Sequence, residues 1–289
     1  MVTPMGDPLI SVIVPTHNRQ ELLNEALSSI LRQRSNDWEC VVVDDGSDPP
    51  AEVPQDPRIR IIRQDVARGP SRARNDGIRA ARGKFICFLD DDDTFPPDRL
   101  DHVLPGGGAG ISVHWSSEFR RPSAVTQFRV EELRYDTILN KTTPNLGTVT
   151  IRRDLAVDFD ESLPAAEDLD WLLRVTAATP ITVVDQVGWY WRKHNGPRGL
   201  VGAAARLEGS RLLMKKHAEY FASHRQARAF RLYRMGLLAH ELGDSTATRR
   251  YLVASIKCLP PPGLLARNVK ALARSRPVKP VGAAASSPD

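Results

Sequence analysis

Residues 9–14 read LISVIV, a nearly continuous apolar stretch rich in β-branched side chains, which predicts a strand buried on both faces. Residues 15–19 break it. Apolar positions at Leu22, Leu23, Ala26, Leu27, Ile30 and Leu31 then follow helical spacing, predicting a helix over 21–32 with Asn18 as its cap. A second buried strand over 40–43 stops at Asp44, Asp45 and Gly46, and a Pro-rich loop over 49–57 leads to a short strand at 60–62. Pro70 opens a helix running through Ala73, Ile78 and Ala81 to a stop at Gly83. Residues 84–89 form the next strand, its apolar run ending in Asp90, Asp91, Asp92 and Asp93, and Pro96 to Leu100 (PPDRL) opens another helix. Alternating strand and helix over 9–100 is the signature of a parallel sheet covered by helices.

The stretch 105–166 is less regular, with a glycine-rich turn at 106–110 and short strands near 111–115 and 147–151. A helix at 167–178 and strands at 181–184 and 187–191 complete the α/β domain. After a loop at 195–199, residues 200–258 read as three helices, the last two flanking a turn at Gly243. The segment RLYRMGLLAHELGDSTATRRYLVASIKCLPP resembles a tetratricopeptide-like helix pair. Residues 262–274 predict a basic helix, and the tail rich in Pro, Ala and Ser predicts disorder. The expected organisation is an N-terminal extension (1–8), an α/β domain (9–198), a helical region (199–274) and a disordered tail (275–289).

Composition changes this picture little: 41% hydrophobic and 26% charged residues in 289 suit a globular chain that is neither wholly disordered nor membrane-spanning. Cys40 and Cys87 sit inside strand-like runs, where a thiol packs as a small hydrophobe, so a reducing compartment without disulfides is expected. The N-terminus has no basic start and only a six-residue apolar run, which predicts no export signal and a cytoplasmic location. Charge adds more. Residues 192–280 hold 19 Lys and Arg against 4 Asp and Glu, whereas residues 1–191 hold 21 against 30. Such a basic C-terminal segment suits a peripheral contact with an anionic membrane or a lipid-phosphate acceptor, and equally a solvated helical face. It lacks the interleaved aromatics of a nucleic-acid platform, so no nucleic-acid partner is expected.

In open parallel sheets, ligands bind outside the carboxyl ends of the strands. Here those ends carry Pro15, Thr16, His17 and Asn18, then Asp44 and Asp45, then Asp90 to Asp93. Four consecutive carboxylates repel one another unless solvent or a cation compensates, and a hard divalent cation does so while also bridging phosphate oxygens. On extended backbone Asp90 and Asp92 point to one side and Asp91 to the other. An exposed acidic loop is the plain alternative. Asp44 and Asp45, before Gly46, suit a contact with a nucleobase or ribose and equally a strand-ending Asx turn. Glu167 and Asp168 head an apolar-periodic segment, where acids are favoured by the helix dipole and where a partly desolvated carboxylate can serve as general base. Asp170 is a third acid of this cluster, or merely faces solvent.

The segments ISVIVPTHNR, VVVDDGS, ARGPSRARNDGIRAARGKFICFLDDDD, FDESLPAAEDLDWLLRV and WYWRKHN, in this order over residues 9–195, resemble family 2 glycosyltransferases. The resemblance implies the α/β GT-A fold, a mostly parallel central sheet flanked by helices, followed here by a C-terminal helical region. It implies inverting transfer of a sugar from a nucleoside-diphosphate sugar, UDP-linked in the first instance, to an acceptor hydroxyl, with Mn²⁺ or Mg²⁺ as cofactor. By position, Asp45 contacts the base, with Asp44, Pro15, Thr16, His17 and Asn18 nearby. Arg74, beside Asn75, approaches the nucleotide or the acidic cluster, or equally serves packing or a salt bridge. Asp90 and Asp92 match the Asp-X-Asp that holds ribose and metal, Asp92 as direct ligand, with Asp91 also counted toward nucleotide binding. Asp168 matches the catalytic base and Glu167 its acidic neighbour. His194 matches a histidine that reaches metal or diphosphate, or is a surface histidine.

No part of 105–146 matches the family pattern, which leaves the donor sugar open, and with it a glycan, lipid-linked or small-molecule acceptor. Two other readings remain. A sugar nucleotidyltransferase would need a Gly-rich, basic phosphate loop after the first strand, and PTHNRQELL is neither. A non-catalytic scaffold built on the helix pair has no use for both Asp92 and Asp168.

Overall fold

The computed structural model describes residues 7–101, 111–118, 145–179, 181–192 and 202–274. By its internal contacts the chain divides into two units, residues 1–199 and 200–289.

The first unit is built on a seven-stranded sheet. Its strands are β1 (Ile10–Thr16), β2 (Trp38–Asp44), β3 (Ile59–Arg63), β4 (Phe85–Phe88), β5 (Ile111–Glu118), β6 (Val149–Arg152) and β7 (Ile181–Trp191), in the order β3-β2-β1-β4-β6-β5-β7. β3, β2, β1 and β4 are mutually parallel; β6 runs antiparallel to β4 and β5, and β7 pairs parallel with β5. The continuous apolar runs of β1, β2 and β4 are buried throughout, as strands covered on both faces must be. Residues 181–191 form one strand rather than the two expected, with register shifts along its pairing to β5.

Helices α1 (Gln20–Leu31), α2 (Pro70–Ala80) and α3 (Glu167–Ala178) belong to the same unit. α1 buries Leu23, Ala26, Leu27 and Ile30 in a cluster with Val12, Val14, Cys40, Val42 and Cys87. On another cluster, Trp171 of α3 is fully buried, edge-on to Phe88 of β4 and stacked on Phe159. This ring sandwich ties the start of α3 to the strand that leads into the aspartates. Asn18 does not cap α1: Arg19 takes the N-cap position, while Asn18 has φ 53° and its side-chain oxygen accepts the Asp48 N–H at 2.7 Å. A short polar side chain that tolerates the left-handed region is used for a turn there, not for a cap. Residues 97–101 form turns, and the rest of the helix expected after Pro96 lies outside the described residues, as do the 106–110 turn and the 275–289 tail.

The second unit contains, among the described residues, α4 (Ala203–Lys216), α5 (Ala218–Ser223), α6 (Arg225–Glu241), α7 (Ser245–Lys257) and α8 (Pro262–Arg274). Residues 203–257 thus hold four helices where three were expected, because the chain breaks at His217 and His224. The α6–α7 pair turns at Gly243 (φ 76°), and the Asp244 carboxylate accepts the Ala247 N–H at 2.8 Å as an N-cap.

The turn from α2 into β4 depends on Gly83. Its N–H donates to Ser11 Oγ at 2.8 Å, and a β-carbon there would sit 2.5 Å from the Ser11 backbone nitrogen. Backbone cannot give way as a flexible side chain does, so Gly83→Ala is expected to cost about 1–3 kcal/mol. A lowered urea midpoint is the expected outcome; an unchanged one means the turn relaxes freely.

Candidate active site

The carboxyl ends of β1, β2 and β4 meet at one edge of the sheet. β1 pairs with both β2 and β4, so Thr16 lies opposite Asp44 and Ile13 opposite Phe88. Thr16 Oγ1 donates to Asp91 Oδ2 at 2.8 Å, joining the first strand end to the third. His17 Nδ1 lies 2.7 Å from the Asp45 carbonyl oxygen, and the Asn18 N–H donates to Ser47 Oγ at 2.9 Å, joining the first to the second.

Asp44 and Asp45 divide their tasks. Asp44 is fully buried; its carboxylate accepts from the N–H groups of Ser47 (2.9 Å) and Ala51 (3.0 Å) and from Arg63 (2.6 Å). Burial works against its charge, but hydrogen bonds from Ser47 and Ala51 and the Arg63 guanidinium outweigh it and hold the carboxyl below its ordinary range. Asp44 thus organises the loop after β2. Asp45 accepts the N–H groups of Arg68 (2.7 Å) and Gly69 (2.8 Å), the residues just ahead of α2. A carboxylate has about four acceptor sites, so two remain for a ligand. Gly46 (φ 70°) is required between this pair and the next turn, because a β-carbon would meet the Ala67 nitrogen at 2.6 Å.

The aspartate run is a turn, not extended backbone: the Asp93 N–H donates to the Asp90 carbonyl at 3.1 Å. The turn keeps Asp91 apart, as alternation predicts, but swings Asp93 round to Asp90 and Asp92, where carboxylate oxygens of all three lie within 4.8 Å of one another. Asp91 faces inward, 4% exposed, to Thr16 and to Arg19 Nη1 at 3.0 Å; the same Nη1 is 3.2 Å from Asp92 Oδ2. Burial pushes the Asp91 carboxyl up to about 6 despite Arg19 and Thr16. Asp93 accepts the Arg192 N–H at 3.0 Å, and burial together with the Asp90 charge pushes it up to about 8. Three hard oxygen donors crowded this closely, one of them reluctant to ionise, are the donor set a Mg²⁺ or Mn²⁺ ion satisfies.

Arg74 connects this cluster to the acid pair. It is buried in α2, and its Nη2 donates to Asp90 Oδ1 at 2.8 Å while its Nη1 donates to Glu167 Oε1 at 3.3 Å. Burial alone would disfavour the guanidinium charge, but Asp90 and Glu167 over-compensate and hold it protonated. The next residue, Asn75, donates to the Phe159 carbonyl (3.0 Å) and Glu161 (2.8 Å) and accepts the Phe159 N–H (2.6 Å), clamping the approach to α3. Glu167 and Asp168 open α3 half-buried, behind Ala166 in a left-handed conformation (φ 65°). Burial raises the Glu167 carboxyl above its ordinary value, with Arg74 opposing. Asp170 does not face solvent: it is fully buried and pairs with Arg174 one turn on at 2.8 Å.

Of the residues singled out from sequence, Thr16, His17, Asn18, Asp44, Asp45, Arg74, Asp90, Asp91, Asp92 and Glu167 are linked by these contacts, with Pro15 in β1 beside them and Asp168 next to Glu167. His194 lies outside the described residues. Arg19 was not singled out from sequence, and Asp93 was counted in the acidic run without being named as a metal ligand of its own. The turn between Asp90 and Asp93 was the missing piece for Asp93, and Arg19 looks like an ordinary residue at a helix start.

Residues 11–106 match the family described as "Glycosyl transferase family 2". The putative colanic acid biosynthesis glycosyl transferase WcaA of Escherichia coli K12 is 42% identical over 105 residues, 34% of this chain and 38% of that protein. The Escherichia coli protein named UDP-Glc:alpha-D-GlcNAc-diphosphoundecaprenol beta-1,3-glucosyltransferase WfgD is 35% identical over 101 residues, 34% of this chain and 40% of that one. The chain therefore spans about two-fifths of the length of these relatives. Among solved structures, S. aureus TarS 1–349 in complex with UDP-GlcNAc superposes with a TM-score of 0.63 at 20% identity, covering 92% of this chain and 90% of that one, a likeness of fold. Residues 11–106, which contain the three strand ends and the aspartate turn, are thus the part of the chain that is similar to the family 2 glycosyltransferases.

Proposed function

We propose that this protein transfers a sugar, with inversion, from a UDP-sugar to a hydroxyl of an acceptor carried on a lipid diphosphate at an anionic membrane surface. The observation that carries the reading is Arg74, which pairs at once with Asp90 of the aspartate turn and Glu167 of the acid pair. One guanidinium thereby sets a donor-phosphate site beside a base site, the juxtaposition a glycosyl transfer needs. The names of relatives support the substrates: TarS is described with UDP-GlcNAc, and WfgD as acting on a diphosphoundecaprenol-linked sugar. Buried thiols at Cys40 and Cys87, the latter pushed up to about 11 by burial, suit a cytoplasmic, reducing setting. Among the described residues no helix is long and apolar enough to cross a membrane, so the contact proposed is peripheral.

Asp45 and the 15–18 loop would receive the uridine, with Asp45 accepting from the base through its remaining lone pairs. Asp90, Asp92 and Asp93 would hold Mg²⁺ or Mn²⁺, with His194 as a further ligand. When bound, the ion supplies charge stabilisation at the departing diphosphate. Asp168, half-buried at the head of α3, accepts the proton of the acceptor hydroxyl. That oxygen bonds to the anomeric carbon from the face opposite UDP, the bond to the diphosphate breaks with its electron pair leaving on UDP, and a single displacement inverts the centre. Glu167, anchored by Arg74, orients the pair and leaves Asp168 to take the proton.

Two measurements test this. Asp168→Asn should retain UDP binding by calorimetry with Mn²⁺ present, while transfer drops by about 10²–10⁴-fold; a fully active variant removes Asp168 as the base, and absent UDP binding by the unaltered protein removes the enzyme reading. The second concerns pH. Asp91 and Asp93 titrate near 6 and 8 when folded, against 3.8 when free, so the folded state binds more protons than the unfolded state between these values. Stability is thus lost as pH rises from about 4 to about 8. Without divalent ions, thermal melting should occur at a lower temperature at pH 8 than at pH 5.5, and Mn²⁺ or Mg²⁺ should raise it more at pH 8. Equal shifts at both pH values would count against a cation in the aspartate turn.

A further inference from the structure

We propose that α8 is a membrane-docking element whose exposed face, Leu265 and Val269 beside Arg267, Lys270 and Arg274, lies on an anionic phospholipid surface; the inference rests on the reading above of an acceptor held at such a membrane. At about 100° per residue, α8 has three sectors. Leu264, Asn268 and Leu272 turn inward, Asn268 fully buried with its side-chain N–H on the Leu264 carbonyl at 2.9 Å, and the helix packs on α7 through this side. A second sector carries Leu265, Val269, Ala266 and Ala273, all exposed, with Leu265 at 38% and Val269 at 55%. The third, next to it, carries Arg267, Lys270 and Arg274, also exposed. A surface helix that had only to be solvated would show polar residues over its whole outer face. Here an apolar stripe faces out along a basic one, the arrangement that sinks aliphatic side chains to the acyl boundary and leaves Lys and Arg at headgroup phosphates.

The surroundings select the partner. From Ser245 to Arg274 the sequence holds six Lys and Arg and no Asp or Glu, so the sign of charge is uniform across α7 and α8. Just before α8, Leu259 is held in the left-handed region (φ 52°) and is 73% exposed, a bulky apolar side chain turned outward on strained backbone. A nucleic acid would call for exposed aromatic side chains, and the single aromatic residue of this stretch, Tyr251, is buried. Positive charge on both copies opposes self-association through this face. An anionic lipid surface satisfies both stripes together.

The test is co-sedimentation of the full chain with phosphatidylcholine vesicles, with and without phosphatidylglycerol, alongside UDP calorimetry. Binding is expected only with phosphatidylglycerol, weakening as ionic strength rises from about 0.05 M to about 0.5 M. Leu265→Ser/Val269→Ser should lower partitioning roughly tenfold and Arg267→Ser/Lys270→Ser/Arg274→Ser roughly a hundredfold, with UDP affinity unchanged in both. Absence of vesicle binding overturns the proposal, as does equal partitioning of the serine variants and the unaltered protein. So does a concentration-dependent dimer that the apolar variant dissociates without changing vesicle binding. Lost UDP binding with vesicle binding intact would instead overturn the transferase reading and leave α8 as a docking helix.

Discussion

Four consecutive aspartates at the end of a buried strand repel one another, and the first unit is arranged around the relief of that repulsion. The backbone turns after Asp90, sending Asp91 inward to Thr16 and Arg19 and bringing Asp90, Asp92 and the buried Asp93 together. Two arginines share the remaining charge. Arg19 stands at the head of α1 between Asp91 and Asp92, and Arg74, buried in α2, takes Asp90. Even so, Asp91 and Asp93 stay reluctant to ionise, because burial disfavours their charged forms more than these partners favour them. The residual cost is of the kind a divalent cation removes.

The same compensation gives the site its reach. Because Arg74 is buried, its charge needs more than one partner, and its second is Glu167 at the start of α3. The rings of Phe88, Phe159 and Trp171 and the Asn75 clamp hold α3 against the sheet end that carries the aspartates, so the acid pair keeps its distance from them by packing as well as by charge. The candidate binding residues thus stand at strand ends and helix starts, an arrangement that would limit the reorganisation a ligand must drive.

The two units carry opposite characters. The first concentrates carboxylates at one sheet edge, and the second is basic, with α8 adding an exposed aliphatic stripe. An acidic centre suits a metal and phosphates, and a basic, amphipathic helix suits a lipid surface, the partners proposed for them above. Under these proposals each unit would draw on the same elementary terms, desolvation and Coulomb attraction, for a different partner.

Continuous apolar runs ending in polar residues sufficed to place β1, β2 and β4, since a strand buried on both faces has little choice of composition, and those of β2 and β4 end in aspartates. Asp45, Asp92 and Asp168 were singled out by the family motifs, and the roles given to them are those of the proposal above. Sequence spacing did not fix which partner each side chain takes. Asp170 was left open between the acid cluster and solvent, and it is buried against Arg174; Asn18 looked like a helix cap, yet it ties β1 to the loop after β2; Arg74 was left open between the nucleotide, the acidic cluster and packing or a salt bridge, and it pairs with Asp90 and Glu167, 16 and 93 residues away. Local pattern determined which elements form and which residues end them, because propensity and periodicity act over a few residues. Only the tertiary structure decided which charge answers which, because electrostatic compensation depends on distance in space and on the burial that folding creates.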